Sequence, residues 1–471
     1  MQRIRIVILI GVLPAACVVG PEYRAPEIEA GDAWAEPLAE QDLTVDLETW
    51  WSTFDDATLT RLIETALAQN LDIRAAGARV MEARALRDAV AGRRYASGNV
   101  SAGVTRRRQS ENGPLPINQI PGIERDQTIY EPGFDAAWEI DAFGGTQRAI
   151  EAAAARVDAA LERRHGAEFR IAAETARSYF ELRGAQHELD ALNAAVIASQ
   201  ASTDLVRRQL SLGEVPEAAV AQAEAELAAV QAELPLLEAR LRATALSIGI
   251  LLGDLPESAL GLVDETMDYA ALAPLPVGQR ADLLRRRPDV LAAERALAAA
   301  TADVGVATAN LFPRIGIGGH GGFQSLSGGN LFESASETFA IAPLISWRVF
   351  DGGRVRAEIR ASEARVEVAA LEYEKAVKQA LTDAELALTR YRLGLAALDR
   401  QTVAVAAARR SYGFATERYR AGDISLLELL DAERALRSAE NAYARVHTQA
   451  ATQLVALFKA LGGGWQAGAG V

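Results

Sequence analysis

Glu428 and Asp431 stand three residues apart in a stretch of helical composition. That spacing sets both carboxylates on one helix face, turned away from Leu426, Leu429 and Leu430. Such a pair can be an acid–base couple, a solvated helix face, or part of a ring of charge at a constriction. Catalysis would need pocket-forming residues nearby, and the neighbouring sequence offers none. The histidines, His165, His187, His320 and His447, are scattered, and none pairs at a metal-ligand spacing. Gly316-Ile-Gly318-Gly-His-Gly321 fits GxGxxG. A dinucleotide site requires a helix to start there and an acidic residue about 20 positions on. These glycines lie instead within a strand pattern. No catalytic residue, metal ligand or cofactor site is expected.

The net charge of −14, more negative once Arg3 and Arg5 leave with a leader, does not suit a nucleic-acid binder. It would concentrate cations in a pore. The apolar half of the chain is dominated by alanine and poor in aromatics, as in close-packed helices. The single cysteine excludes an intramolecular disulfide. Residues 1–16 have a basic start, an apolar stretch from Ile6 to Leu13, and the small residues Ala15 and Ala16. This is the layout of a secretory leader, too short to span a bilayer. Cys17 follows directly. No later apolar run approaches the roughly 20 residues of a membrane helix, so any membrane crossing must be made by strands.

The chain repeats itself. Gly213 pairs with Gly422, an offset of 209, and the same offset pairs Trp138 with Trp347, Gly144 with Gly353, and Glu224 with Glu433. Upstream, Leu71-Asp72-Ile73 aligns with Pro288-Asp289-Val290 at an offset of 217. The first copy therefore carries a longer loop, between about Ser101 and Tyr130, where Asn112-Gly113-Pro114 and Ile120-Pro121-Gly122 signal turns.

Each copy is predicted as helix, two strands, long helix, turn, helix. Thr58 to Arg93 has helical spacing. About Asn99 to Thr105 alternates, and so does Tyr130 to Ile140, with Tyr130, Pro132, Phe134, Ala136, Trp138 and Ile140 on one face. The second copy alternates from Ile315 to Phe323 and from Phe339 to Val349. Strands of about 10 residues with one greasy face suit a bilayer or a soluble sheet; the leader favours the bilayer. Four strands cannot close a barrel, so several chains must pool theirs, three giving about twelve. Arg106-Arg107-Arg108 ends the first strand. Its charges are either solvated at a rim or paired with lipopolysaccharide phosphates. Long helices follow, about Thr146 to Ser211 and Arg354 to Arg420, each roughly 100 Å long. Val377, Leu381, Ala384, Leu388, Tyr391, Leu395 and Leu398 form a heptad seam. Each long helix stops at a glycine turn, and Pro216 and Ser425 suit the start of a returning helix.

Several segments resemble the TolC-like outer-membrane efflux family, in its lipoprotein branch (NodT or OprM type). They are Cys17 to Pro26, Trp51 to Leu59 with Ala66-Leu67 and Asn70-Leu71, Arg286 to Val290, Asn310 to Pro313, and Val349 to Arg354. The resemblance implies a mainly α protein with transmembrane β-structure. It implies a homotrimer with a twelve-stranded outer-membrane barrel and a helical coiled-coil tunnel in the periplasm. Its partners would be a periplasmic adaptor and an inner-membrane RND pump, and its role passive conduction. Cys17 would carry lipid and anchor the chain to the outer membrane. Glu428 and Asp431 would line the periplasmic gate. The tips Leu212, Gly213, Glu214, Val215 and Gly422, Asp423, Ile424, Ser425 would meet the adaptor. The expected divisions are a leader 1–16, an extended segment 17–56, repeats 57–270 and 271–462, and a tail 463–471.

Overall fold

The computed structural model describes residues 18–26, 31, 34–35, 47–110, 122, 124–265, 268–274 and 280–463. The leader 1–16, Cys17, much of the segment 17–56, the turn signals at 112–114 and 120–121, and tail residues 464–471 lie outside the described residues. In chain order the elements are α1 (Ala57–Gln69), α2 (Leu71–Ala91), β1 (Ser97–Arg108), β2 (Asp126–Ile140), α3 (Gly145–Ser211), α4 (Glu217–Leu251), α5 (Arg280–Arg286), α6 (Pro288–Ala309), β3 (Arg314–Phe323), β4 (Glu337–Ser346), α7 (Arg354–Arg420) and α8 (Leu426–Ala460).

The duplication is exact in length. α3 and α7 each have 67 residues and α4 and α8 each have 35, with every start and end displaced by 209. α2 and α6 begin at Leu71 and Pro288, the other offset. The helix expected from Thr58 to Arg93 is instead broken at Asn70 and ends in a 3-10 turn, Gly92–Arg94. Asn70 is buried, and its Oδ1 accepts from Asp72 N at 2.9 Å and Ile73 N at 3.3 Å. The side chain thus caps α2, whose first N–H groups have no partner within the helix. Its Nδ2 donates to the Leu251 carbonyl at 2.8 Å.

The chain forms two compact units, each drawing segments from both repeats. The first comprises the described part of Met1–Pro26 with Met81–Ala159 and Ala293–Tyr373. It holds one antiparallel sheet in the order β1-β2-β3-β4. Gly144, at φ 74, turns the chain from β2 into α3, and Asp141 caps that helix through Thr146 N (3.0 Å) and Gln147 N (2.7 Å). Val19 and Gly20 are clamped beside this junction. Val19 N donates to Phe143 O, and the buried Arg148 donates to both their carbonyls, at 3.1 and 3.4 Å.

The second unit comprises Glu27–Val80, Ala160–Ala292 and Glu374–Val471 in their described parts. Trp50, fully buried, stacks on Phe458 at 5.0 Å, with Phe54 and Phe180 around them. Burial of each such ring contributes about 2 kcal/mol. The segment after α4 is strapped across α3, α7 and α8. Gln186 Nε2 donates to the carbonyls of Leu262, Val263 and Glu265, and Arg183 to Glu265 O at 2.7 Å. His187 stacks on Tyr269 at 3.7 Å, His447 Nε2 donates to Ala270 O, and Tyr391 OH to Ala273 O at 2.6 Å. Burial lowers the pKa of both imidazoles, which keeps them neutral at neutral pH.

The cap at Asn70 can be tested by substitution. Asn70→Ala is expected to cost about 1–3 kcal/mol, from the lost cap and the orphaned Leu251 carbonyl. Circular dichroism of the detergent-solubilised protein should show a lower Tm. Asn70→Asp, which keeps the acceptor, should fall in between. Melting of Asn70→Ala with the wild type would show that the cap does not secure the break.

Candidate functional site

Two arrangements of side chains stand out, one on the sheet and one at the helix tips. On the sheet, strand register aligns like with like. Val100, Phe134, Gly321 and Phe339 form one row, and Trp138, Ile317 and Pro343 another. Ile140, Ile315 and Ile345 form a third. These side chains share a face and are open in the single chain, Phe339 at 85% and Ile341 at 77% exposure. A contiguous apolar surface of this kind is meant for lipid or protein. The opposite face is polar. There Asn99, Asp135 and His320 share a row, and His320 Nδ1 meets Asp135 Oδ1 at 3.0 Å. A Cβ at Gly133 would come within 2.9 Å of the His320 ring, so the glycine makes room for it. Gln324 Nε2 donates to Glu131 on the same face.

β1 and β2 run longer than expected, from Ser97 to Arg108 and from Asp126 to Ile140. β4 is shorter. It ends at Ser346, so Trp347 and Val349 lie beyond the strand. Just past the strand end, the indole Nε1 of Trp347 donates to Leu311 O at 3.0 Å. Trp138, its repeat partner, does the same to Arg94 O at 2.9 Å. The two carbonyls are themselves related by the offset of 217. Paired tryptophans with an apolar body and a satisfied N–H suit a membrane–water boundary.

At the tips, Gly213 and Gly422 adopt φ values of 76 and 83. Glu214 N bonds to Gln209 O and Asp423 N to Arg418 O, each at 2.9 Å, closing the helices in the Schellman pattern. Leu212, Glu214, Asp423 and Ser425 are exposed, while Val215 and Ile424 are half-buried. Glu428 and Asp431 are both exposed and Leu429 and Leu430 buried, as the spacing predicts. Each carboxylate also has a local partner. Ser425 and Glu428 form a capping box, with Ser425 N to Glu428 Oε1 at 3.3 Å. Asp431 Oδ1 accepts from Arg434 at 3.1 Å.

The structure brings the two hairpins together through contacts that sequence reasoning missed. Val215, Ala219 and Leu426 pack on Val206, Val220 and Ala223. Glu226 on α4 accepts from Arg434 at 2.9 Å and Arg437 at 3.0 Å on α8. Tyr419 OH donates to Gln209 at 2.6 Å, and Ser202 to the buried Glu433. Burial raises the Glu433 carboxyl pKa. A signal existed: Arg434 and Arg437 correspond to Ala225 and Ala228 in the first copy, so these charges are particular to one hairpin. Among the described residues no His, Cys, Asp and Glu cluster could hold a metal ion, and no helix is long and apolar enough to cross a membrane.

The chain matches the model of the outer membrane efflux protein family over residues 62–254 and 280–463. It is 32% identical over 447 residues to the pyoverdine export outer membrane protein OpmQ of Pseudomonas putida, with 92% of each chain covered. Its fold is similar to that of the outer-membrane channel OprN, at a TM-score of 0.85 and 37% identity, covering 95% of this chain and 100% of that one. It is also similar to the open state of the Neisseria gonorrhoeae MtrE outer membrane channel, at a TM-score of 0.82 and 26% identity, covering 95% and 98%. The greasy and polar sheet faces, the twinned hairpins and these likenesses converge: the chain belongs to the outer membrane efflux protein family, and it is a channel rather than an enzyme.

Proposed function

We propose that three copies of the chain pool their sheets into one closed barrel in the outer membrane, continued by their helices as a periplasmic tunnel. The conduit passes small molecules driven by an inner-membrane RND pump and received through a periplasmic adaptor. The observation that carries this is the open four-stranded sheet with a greasy face. Bare strand edges are not tolerated in lipid, and about eight strands are the practical minimum for closure. The tips Leu212–Val215 and Gly422–Ser425 are the proposed adaptor contacts. Cys17 is proposed to carry lipid. Support comes from the clamp on Val19 and Gly20, which holds the chain just after it beside Phe143, where β2 gives way to α3. The repeats 57–270 and 271–462 are read as two copies of one unit.

Glu428 and Asp431 are proposed as the acidic mouth. The first copy has Ala219 and Gln222 at the equivalent positions, so only one hairpin of each chain contributes charge.

Native mass spectrometry of the purified protein is expected to give three chains, each starting at Cys17 and heavier by its lipid. A stable monomer would overturn the shared barrel, and an unmodified start would remove the anchor.

Adjacent positions on β4 test the wall. Ile341→Arg places charge toward lipid and should cost about 2–4 kcal/mol at the midplane. Ala340→Arg points to the other face and should leave thermal dissociation of the assembly nearly unchanged. Equal effects would refute the assignment of faces.

The mouth is tested by planar-bilayer conductance of Glu428→Gln/Asp431→Asn, which removes charge but keeps the capping box. Multivalent-cation block and cation preference should both weaken while the trimer persists. If neither changes, the gate lies elsewhere.

A further inference from the structure

Arg106-Arg107-Arg108 is the one charge run of the sheet that the conduction reading leaves unused. Strand geometry divides it. On β1 the greasy face carries Val100, Ala102 and Val104, and the same face continues through Arg106 and Arg108. Arg107 points the other way and donates to Gln127 at 3.4 Å. Val104 lies opposite Tyr130, Arg106 opposite Thr128, and Arg108 opposite Asp126. The apolar band thus stops at an aromatic, and two arginines stand just beyond it, about 7 Å apart.

Their position in the fold fixes which boundary this is. α2 leads into β1, β2 into α3, α6 into β3 and β4 toward α7, so these four helices all join the sheet at the end that bears Trp138. Arg106 and Arg108 occupy the opposite end. Arg108 shares a loose contact with Asp126, Nε to Oδ1 at 3.4 Å, with both side chains more than half exposed. Arg106 has no partner among the described residues. An arginine turned toward hydrocarbon is costly, and this cost nearly disappears at the interface. There the guanidinium needs an anionic acceptor, and phosphate takes its fork in two charge-assisted bonds.

We propose that the outer end of β1 binds the phosphate groups of the outer-leaflet glycolipid, with Arg106 and Arg108 as the contacts and Thr128 on β2 directly across from Arg106. The proposal rests on the barrel reading above. The occupant is a phosphorylated glycolipid rather than a free anion because the arginines continue the greasy stripe: a ligand must offer acyl chains below and phosphate above. Bound lipid of this kind would tie β1, an edge strand of the single chain, to the bilayer at its outer rim.

The test uses the full-length protein in nonionic detergent, titrated with bisphosphorylated lipid A and, separately, with phosphatidylglycerol, and read by native mass spectrometry. Wild type is expected to retain lipid A at least about tenfold better than phosphatidylglycerol. Arg106→Gln/Arg108→Gln should lower lipid A retention about tenfold or more, the scale of two lost charge-assisted bonds. Arg107→Gln removes one charge from the other face and should stay within about twofold of wild type. Equal loss in both variants would reduce the run to non-specific charge, and equal retention of the two lipids would remove the glycolipid. Collapse of the double variant to monomers would assign the arginines to a seam between copies. Each of these outcomes overturns the proposal. Bilayer conductance of the same variant separates the two levels of the argument: channels that conduct normally without lipid A leave the barrel standing, whereas a wild type that forms no channel brings down the barrel itself.

Discussion

A strand inside a bilayer has no water to satisfy its backbone, so every edge must find another strand. In the proposed barrel, that constraint organises this molecule. Its sheet has one greasy face and one polar face, with β1 and β4 left as edges. Residues far from the edges keep the two faces distinct. Gly321 joins the rows of large side chains on the greasy side, while Gly133 opens space for His320 on the polar side. Trp138 and Trp347 then mark one boundary by bonding carbonyls that precede β1 and β3.

The helices obey a different rule. Two hairpins of equal dimensions can lie side by side only if their surfaces agree, and a hydrophobic cluster at the tips provides the common ground. Charge breaks the equivalence. Arg434 and Arg437 reach across to Glu226, and only the second hairpin has Glu428 and Asp431. Duplication supplies the scaffold, and divergence at a few positions makes the two hairpins chemically distinct. The strap after α4, gripped by Gln186, Arg183, His447 and Tyr391, ties three helices at another level of the same unit.

Period and length were strongly legible in the sequence. The ends of α7 and of the turn at Gly422 fall where the pattern and the glycine put them, because a left-handed cap is a local event. The break at Asn70 was missed because Asn-Leu-Asp carries no proline; the second copy has Pro288 at the matching place, so the signal lay in the other repeat. Alternation carries the expected fourth strand to Val349, whereas β4 ends at Ser346, because the alternation continues through Trp347 after the hydrogen bonding has stopped. The carboxylate face at Glu428 and Asp431 followed from spacing alone. The ties from Glu226 could not, since they join residues roughly two hundred positions apart and depend on how two helices pack.

The equal lengths of α3 and α7, and of α4 and α8, constrain how such a chain can change. A residue deleted from α3 alone would rotate everything beyond it by about 100° and shorten the stave by 1.5 Å. The tip cluster would lose its alignment with Leu426, and the heptad seam its neighbours. A viable change of length must come in whole heptads and appear in both limbs of both hairpins. Loops escape that rule, and the change of offset between the copies, from 217 to 209, falls within the β1–β2 hairpin. The sheet loops therefore tolerate insertion and the paired helices do not, so relatives should vary in their loops while keeping the lengths of the four hairpin helices nearly fixed.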